Sequence, residues 1–239
     1  MFPIKDLNRT LTAPHVNRLL LISNILIFSV YTLSSLGILI GNSAANFIDS
    51  HFIMVPAEIL NGQRLYTLAT SMFMHASWYH LLGNMIYLFV FGDNIEDVFG
   101  HIGYLAFYLI SGVAASLAQI AATLYAPALS SLLGLAAPSD LTIGVLGASG
   151  AISAVLGAYI VLFPKAYVLT FIIIVILPIP AILFLGFWFV LQWLIGFFNV
   201  AGGVAIFAHI GGFILGMILA LTIGLNRKKK LKAKFQSKK

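Results

Sequence analysis

Residues 166–209 read AYVLTFIIIVILPIPAILFLGFWFVLQWLIGFFNVAGGVAIFAH, and none of them is Asp, Glu, Lys or Arg. How this stretch divides decides the fold. A helix crosses the hydrocarbon of a bilayer with about 20 apolar residues. Ala166 to Ile179 is apolar but too short for a comfortable span, and Pro178 and Pro180 would break a helix there. We read Ala166–Pro180 as a re-entrant or interfacial segment. The fifth span then runs from Ala181 to Phe198. Gly202 and Gly203 turn the chain, and the sixth span covers Val204 to Leu225.

Upstream, four more runs have spanning character: Leu19–Ile40, Trp78–Val90, Ile102–Leu124 and Ser149–Phe163. No small-residue cleavage site follows the first, so it reads as a retained anchor. Gly41–His75 is a large, mixed first loop with short interfacial helices. The far end of the second span, FGDNIEDVFGH, reads as a short acidic turn in which Asp93, Glu96 and Asp97 are structural. The expected architecture is an all-α bundle of six transmembrane helices. Residues 1–18 precede it and a polybasic tail, 226–239, follows it.

Composition supports this class. The 239 residues are 61% hydrophobic and 8% charged, against roughly 25% charged in a soluble domain. So few charges cannot cover a water-facing surface, which excludes a soluble enzyme, a disordered chain and a fibrous repeat. Cysteine is absent, which removes disulfides, thiolate catalysis and Cys-based metal sites. Of 13 Lys and Arg residues, eight lie between Arg227 and Lys239, while Lys5, Arg9 and Arg18 precede the first run. The positive-inside rule puts both ends in the cytoplasm and makes the span count even. A seventh span would put the basic tail outside. Lipid headgroups account for that tail, and nucleic acid is not needed as a partner.

With this topology the second, fourth and sixth spans all descend from the outer face. His80, Asn84, Ser149 and His209 then share one depth. Polar residues inside a membrane are costly and usually have a task. In Gly147-Ala-Ser149-Gly150 a serine sits at a loop-to-helix junction, where its own N–H lacks a helical partner. Alone, this pattern is as well explained by small-residue packing. His209 changes the balance. It shares a helix face with Gly212 and Gly216, a GxxxG that allows close helix packing. Ser149, Ser153 and Gly157 make the matching stripe. A serine needs such a base to act as a nucleophile near neutral pH. His80 and Asn84, four apart on one face, are donors of the kind that hold a developing oxyanion. No carboxylate lies at this depth, so the chain offers a Ser–His dyad rather than a triad. His75 and His80 are five apart with no HExxH, so no metal site and no cofactor is expected, and His75 reads as structural. Gln192, Trp188 and Trp193 either line the site or face its neighbours; the sequence leaves both open.

The ordered set HxxxxHxxxN, GASG and AHIGG, with Arg64, Thr70–His75, Phe91–Glu96, Gly186-Phe-Trp188 and Gly203-Val-Ala205, resembles the rhomboid family of intramembrane serine proteases. The resemblance covers about Val55 to Leu225. It implies a six-helix fold, a Ser149 nucleophile, a His209 base, and an oxyanion hole from the Ser149 N–H, His80 and Asn84. It also implies single-span membrane proteins as substrates and a fifth span that serves as a lateral gate. Two departures stand out. Ser153 occupies a position where many family members carry an aromatic ring against the catalytic histidine. A Trp-Arg pair in the first loop is here Gln63-Arg64. The rival readings are an inactive relative that binds membrane-protein clients, and a transporter. The joint presence of Ser149 and His209 argues against the first, and charge-free spans argue against the second. A prokaryotic plasma membrane is the expected home, with the site open to the outside. Nothing in the sequence sets an oligomeric state.

Overall fold

The computed structural model describes residues 2–39, 42–125, 128, 140–197 and 205–236. The Pro127 and Pro138 loop and the turn at Gly202 and Gly203 lie outside the described residues. The chain is mostly helical. α1 is His15–Ser35, and the first loop carries α2 (Asn42–Phe52), α3 (Pro56–Leu60), α4 (Thr67–Thr70) and a short 3-10 turn. Then come α5 (Trp78–Phe99), α6 (His101–Leu124), α7 (Ser149–Leu162), α8 (Ala181–Phe197) and α9 (Ile206–Leu219). A π-helical turn, Ala220–Gly224, leads into α10, Leu225–Gln236.

Among the described residues three helices are long and apolar enough to cross a membrane: His15–Ser35, His101–Leu124 and the continuous run Ile206–Gln236. Ser149–Leu162 and Ala181–Ile195 are apolar but shorter. The core is built on Phe91, Tyr104, Tyr108, Tyr159, Phe184 and Phe213, all fully buried. Large apolar side chains such as Leu19, Ile22, Leu26, Ile102 and Ile110 face outward instead. Water would not favour that surface, whereas lipid chains would.

Two expectations are corrected. The fold is not purely helical, and the departure lies in Ala166–Pro180. It forms a hairpin, β2 (Tyr167–Ile172) and β3 (Val175–Pro180), whose inner strand pairs antiparallel with β1, Phe2–Asp6. The β-branched and aromatic residues of the segment suit a pleated strand. Prolines 178 and 180 are tolerated because β3 is an edge strand. Nor is the acidic stretch a turn. α5 continues through Asp93, Glu96 and Asp97 to Phe99 and ends at Gly100, whose φ of 73° favours glycine. The acids have structural work there. Glu96 accepts the N–H groups of Val16 (2.9 Å) and Asn17 (2.7 Å), free donors in the first turn of α1. Asp97 accepts from the Leu11 N–H and the Thr12 hydroxyl.

Both chain ends gather at one end of the bundle. Asp6 of β1 accepts the Tyr159 hydroxyl (2.7 Å) and the Asn94 amide (2.8 Å). Arg227 and Lys228 of α10 donate to the terminal carbonyls Phe99 of α5 and Leu162 of α7. Ser149 and His80 stand at the opposite, N-terminal ends of α7 and α5.

Candidate active site

The close pairing of α7 with α9 sets the site. A Cβ at Gly212 would collide with the Gly150 carbonyl, one at Gly216 with the Ala154 carbonyl, and one at Gly157 with the Phe213 carbonyl. The two stripes of small residues therefore interdigitate backbone to backbone. The first loop fixes the approach to α7. Met54 and Val145 exchange backbone hydrogen bonds (3.2 and 2.7 Å), and the Gly147 N–H donates to the Ser71 carbonyl (2.9 Å).

These constraints bring Ser149 Oγ to 2.7 Å from His209 Nε2. On the other side of the ring, His209 Nδ1 lies 2.9 Å from Gln192 Oε1. Both Ser149 and His209 are half-buried. His80 reaches the same place: the position a Gly147 Cβ would take is 2.8 Å from its ring and 3.7 Å from Ser149 Oγ. Gly147, with φ of 123°, must be glycine both for its backbone and for the room the His80 ring takes. Gly150 packs against Ala115 of α6. Asn84, one turn deeper on the same face of α5, is buried, and its side-chain N–H₂ has no protein acceptor among the described residues. A water-sized cavity opens beside Ser149, walled by Ser71, Gly147, Gly150 and Ser116.

His75 is buried, with neither ring nitrogen partnered among the described residues and its ring edge-on to that of His80. Burial, with His80 a smaller contributor, pushes its pKa down to about 4, so it stays neutral at ordinary pH. Among the described residues no group of three potential metal ligands occurs.

Sequence reasoning left Gln192, Trp188 and Trp193 undecided, and of these Trp193 is exposed. Gln192 bonds the His209 ring, and Trp188 stands beside it with centroids 6.2 Å apart while stacking on Phe213. The available signal was Gln192 itself, a lone amide on an otherwise apolar helix. Ser153, in the expected aromatic position, donates to the Ser149 carbonyl (2.6 Å). Its Cβ lies 3.4 Å from the point a methyl on Gly212 would take, so Ser153 belongs to the close α7–α9 seam. Arg64 is ion-paired with Glu58 and donates to the Ile53 carbonyl (3.2 Å), which ties the first loop together without a tryptophan.

The family model described as "Rhomboid domain" matches residues 62–226. The chain is 32% identical over 154 residues to Rhomboid protein 1, mitochondrial, of Saccharomyces cerevisiae, covering 62% of this chain and 39% of that protein. It is 32% identical over 177 residues to RHOMBOID-like protein 12, mitochondrial, of Arabidopsis thaliana, covering 72% of this chain and 50% of that one. It is 40% identical over 52 residues to Rhomboid-like protein 11, chloroplastic, of the same plant, covering 22% and 19%. The matches thus span half or less of each relative. These organellar relatives overturn the expectation of a plasma membrane, and the assignment of both termini to the cytoplasm goes with it. The positive-inside argument orders the two faces of a bundle but does not name the membrane.

Proposed function

The chain belongs to the rhomboid family, and on that premise we propose that it is an intramembrane serine endopeptidase acting through Ser149 and His209. The observation that carries this reading is the 2.7 Å contact between Ser149 Oγ and His209 Nε2. It is the geometry a general base needs to take a hydroxyl proton.

In the proposed reaction Ser149 Oγ attacks the scissile carbonyl carbon as its proton passes to His209 Nε2. The oxyanion is held by the Ser149 N–H, His80 and the Asn84 amide, which has no acceptor among the described residues. His209 returns the proton to the leaving amine, and an acyl ester remains on Ser149. Water then attacks the ester, giving its proton to His209, and the serine is restored.

The spans are taken as α1, α5, α6, α7, α8 and the α9–α10 run, six in all. α7 has 14 residues and covers about 21 Å at 1.5 Å per residue. That is short of the ~30 Å hydrocarbon core, so Ser149 lies below the rim, on the face opposite both chain ends. A recessed site suits substrates that are single-span membrane proteins. Their helix must unwind near the cut, since extended backbone in lipid leaves polar groups unpaired. The membrane of an organelle is the proposed setting, following the names of the relatives.

The test is cleavage of a single-span reporter in liposomes by wild type, Ser149→Ala and His209→Ala. Cutting by wild type alone is expected. Cutting by all three rejects the dyad. Cutting by none, with stable reporter binding, replaces the protease by a client-binding protein.

A further inference from the structure

Three groups lie in line across three helices: Ser149 on α7, His209 on α9 and Gln192 on α8. For Nε2 to receive the Ser149 proton it must be bare, so the neutral ring carries its hydrogen on Nδ1. That hydrogen needs an acceptor, and Gln192 Oε1 lies 2.9 Å away. Among the described residues no carboxylate is bonded to the ring, and Gln192 is the one amide side chain between Ala181 and Ile195. An amide in so apolar a helix is costly unless it has a partner, and the partner here is the imidazole.

We propose that Gln192 is a positioning residue for His209, fixing its tautomer and ring orientation through the Nδ1–H···Oε1 bond. This inference rests on the Ser149–His209 reading. It has a consequence for control. The amide is carried by α8, a different helix from those that bear Ser149 and His209. The first turn of α8 is anchored by buried Ala181, Phe184 and Leu185, but around Gln192 the helix shows Val190, Leu191, Trp193 and Leu194 outward. Moving this half of α8 away from α9 takes the acceptor with it. The base is then oriented only while α8 is docked.

The experiment compares wild type, Gln192→Met and Gln192→Glu in reporter cleavage and in the rate at which a fluorophosphonate labels Ser149. Gln192→Met keeps the volume and loses the acceptor. It is expected to lower kcat and the labelling rate in parallel by ~10–10²-fold, part of the ~10²–10⁴ that a positioned acid–base group contributes, with KM nearly unchanged. Gln192→Glu restores an acceptor. It is expected to recover most of the rate and to move the acid limb of kcat/KM to higher pH, because a carboxylate favours the imidazolium. Among the described residues the other titratable group acting on His209 is His80 of α5, with His75 behind it. Both are the same in all three proteins, so the shift is read against Gln192→Met. Wild-type kcat in Gln192→Met overturns the proposal, as does an equal loss in both variants with an unmoved acid limb. Failure of the probe to label wild-type Ser149 would instead remove the dyad reading, and this inference with it.

Discussion

Gly212 turns its bare Cα toward the carbonyl oxygen of Gly150, one residue past Ser149, and leaves no room for a methyl group. This contact sets how near His209 comes to Ser149. Gly212→Ala is expected to push α9 off α7, at the ~1–3 kcal/mol typical of overpacking. A lower unfolding temperature in detergent together with loss of reporter cleavage checks it. A variant that melts like wild type and cuts like wild type would contradict the packing account.

His80→Ala and Asn84→Ala are each expected to reduce kcat by ~10²–10³-fold, the effect of removing one oxyanion donor. KM should change little, because the donors act on charge that develops after binding. Steady-state kinetics on the reporter decide this. Near-normal turnover in both variants would reject the role.

Glu96→Ala is expected to destabilise the protein without a specific effect on chemistry. It strands the N–H groups of Val16 and Asn17 at the head of α1, at roughly 1–3 kcal/mol for the buried Asn17 donor and less for the half-buried Val16. The check is the unfolding temperature, with kcat measured below it. A folded variant with abolished kcat would show that the acidic end of α5 does more than cap α1.

Asp6 gives a pH dependence that can be separated from catalysis. Burial raises its carboxyl above the usual value, although hydrogen bonds from Tyr159 and Asn94 offset part of the effect. A raised folded-state pKa means that the folded chain holds this proton more tightly than the unfolded one. Its contribution is therefore complete at low pH and is lost as pH rises through the raised value. The unfolding temperature of wild type relative to Asp6→Asn should fall as pH is raised out of the carboxylate range. A constant difference would contradict the assignment.

The sequence made the candidate site legible because its signal is chemical. A serine between glycines, a histidine followed by GxxxG, and a His–Asn pair one turn apart each stand out against apolar neighbours. Gln192 was visible too, but which way a lone helical side chain faces depends on how α8 packs, and no periodicity fixes that in an all-apolar helix. The sheet was hidden for a different reason. An apolar run such as Tyr167–Pro180 reads alike as a short buried helix or a strand. What decides for strand is a partner, Phe2–Asp6, lying far away in the chain. The acidic end of α5 looks like a loop in the sequence because charge suggests one, yet it is helical to Phe99. Here the charges are used by the backbone of α1.

The pairing of Phe2 with Phe171, and of Asp6 with Val168, also orders events during synthesis. Phe2–Asp6 is made before its mate and waits until Tyr167–Ile172 has followed. At ~5–20 residues per second that delay is on the order of 10–30 s. Through it residues 2–6 must stay unpaired while the helices that follow enter the bilayer. The strand then closes as a clasp across a loop of long sequence separation, a kind of contact that forms slowly. Docking of residues 2–6 is thus a late step of assembly, and it marks a chain whose hairpin is already in place.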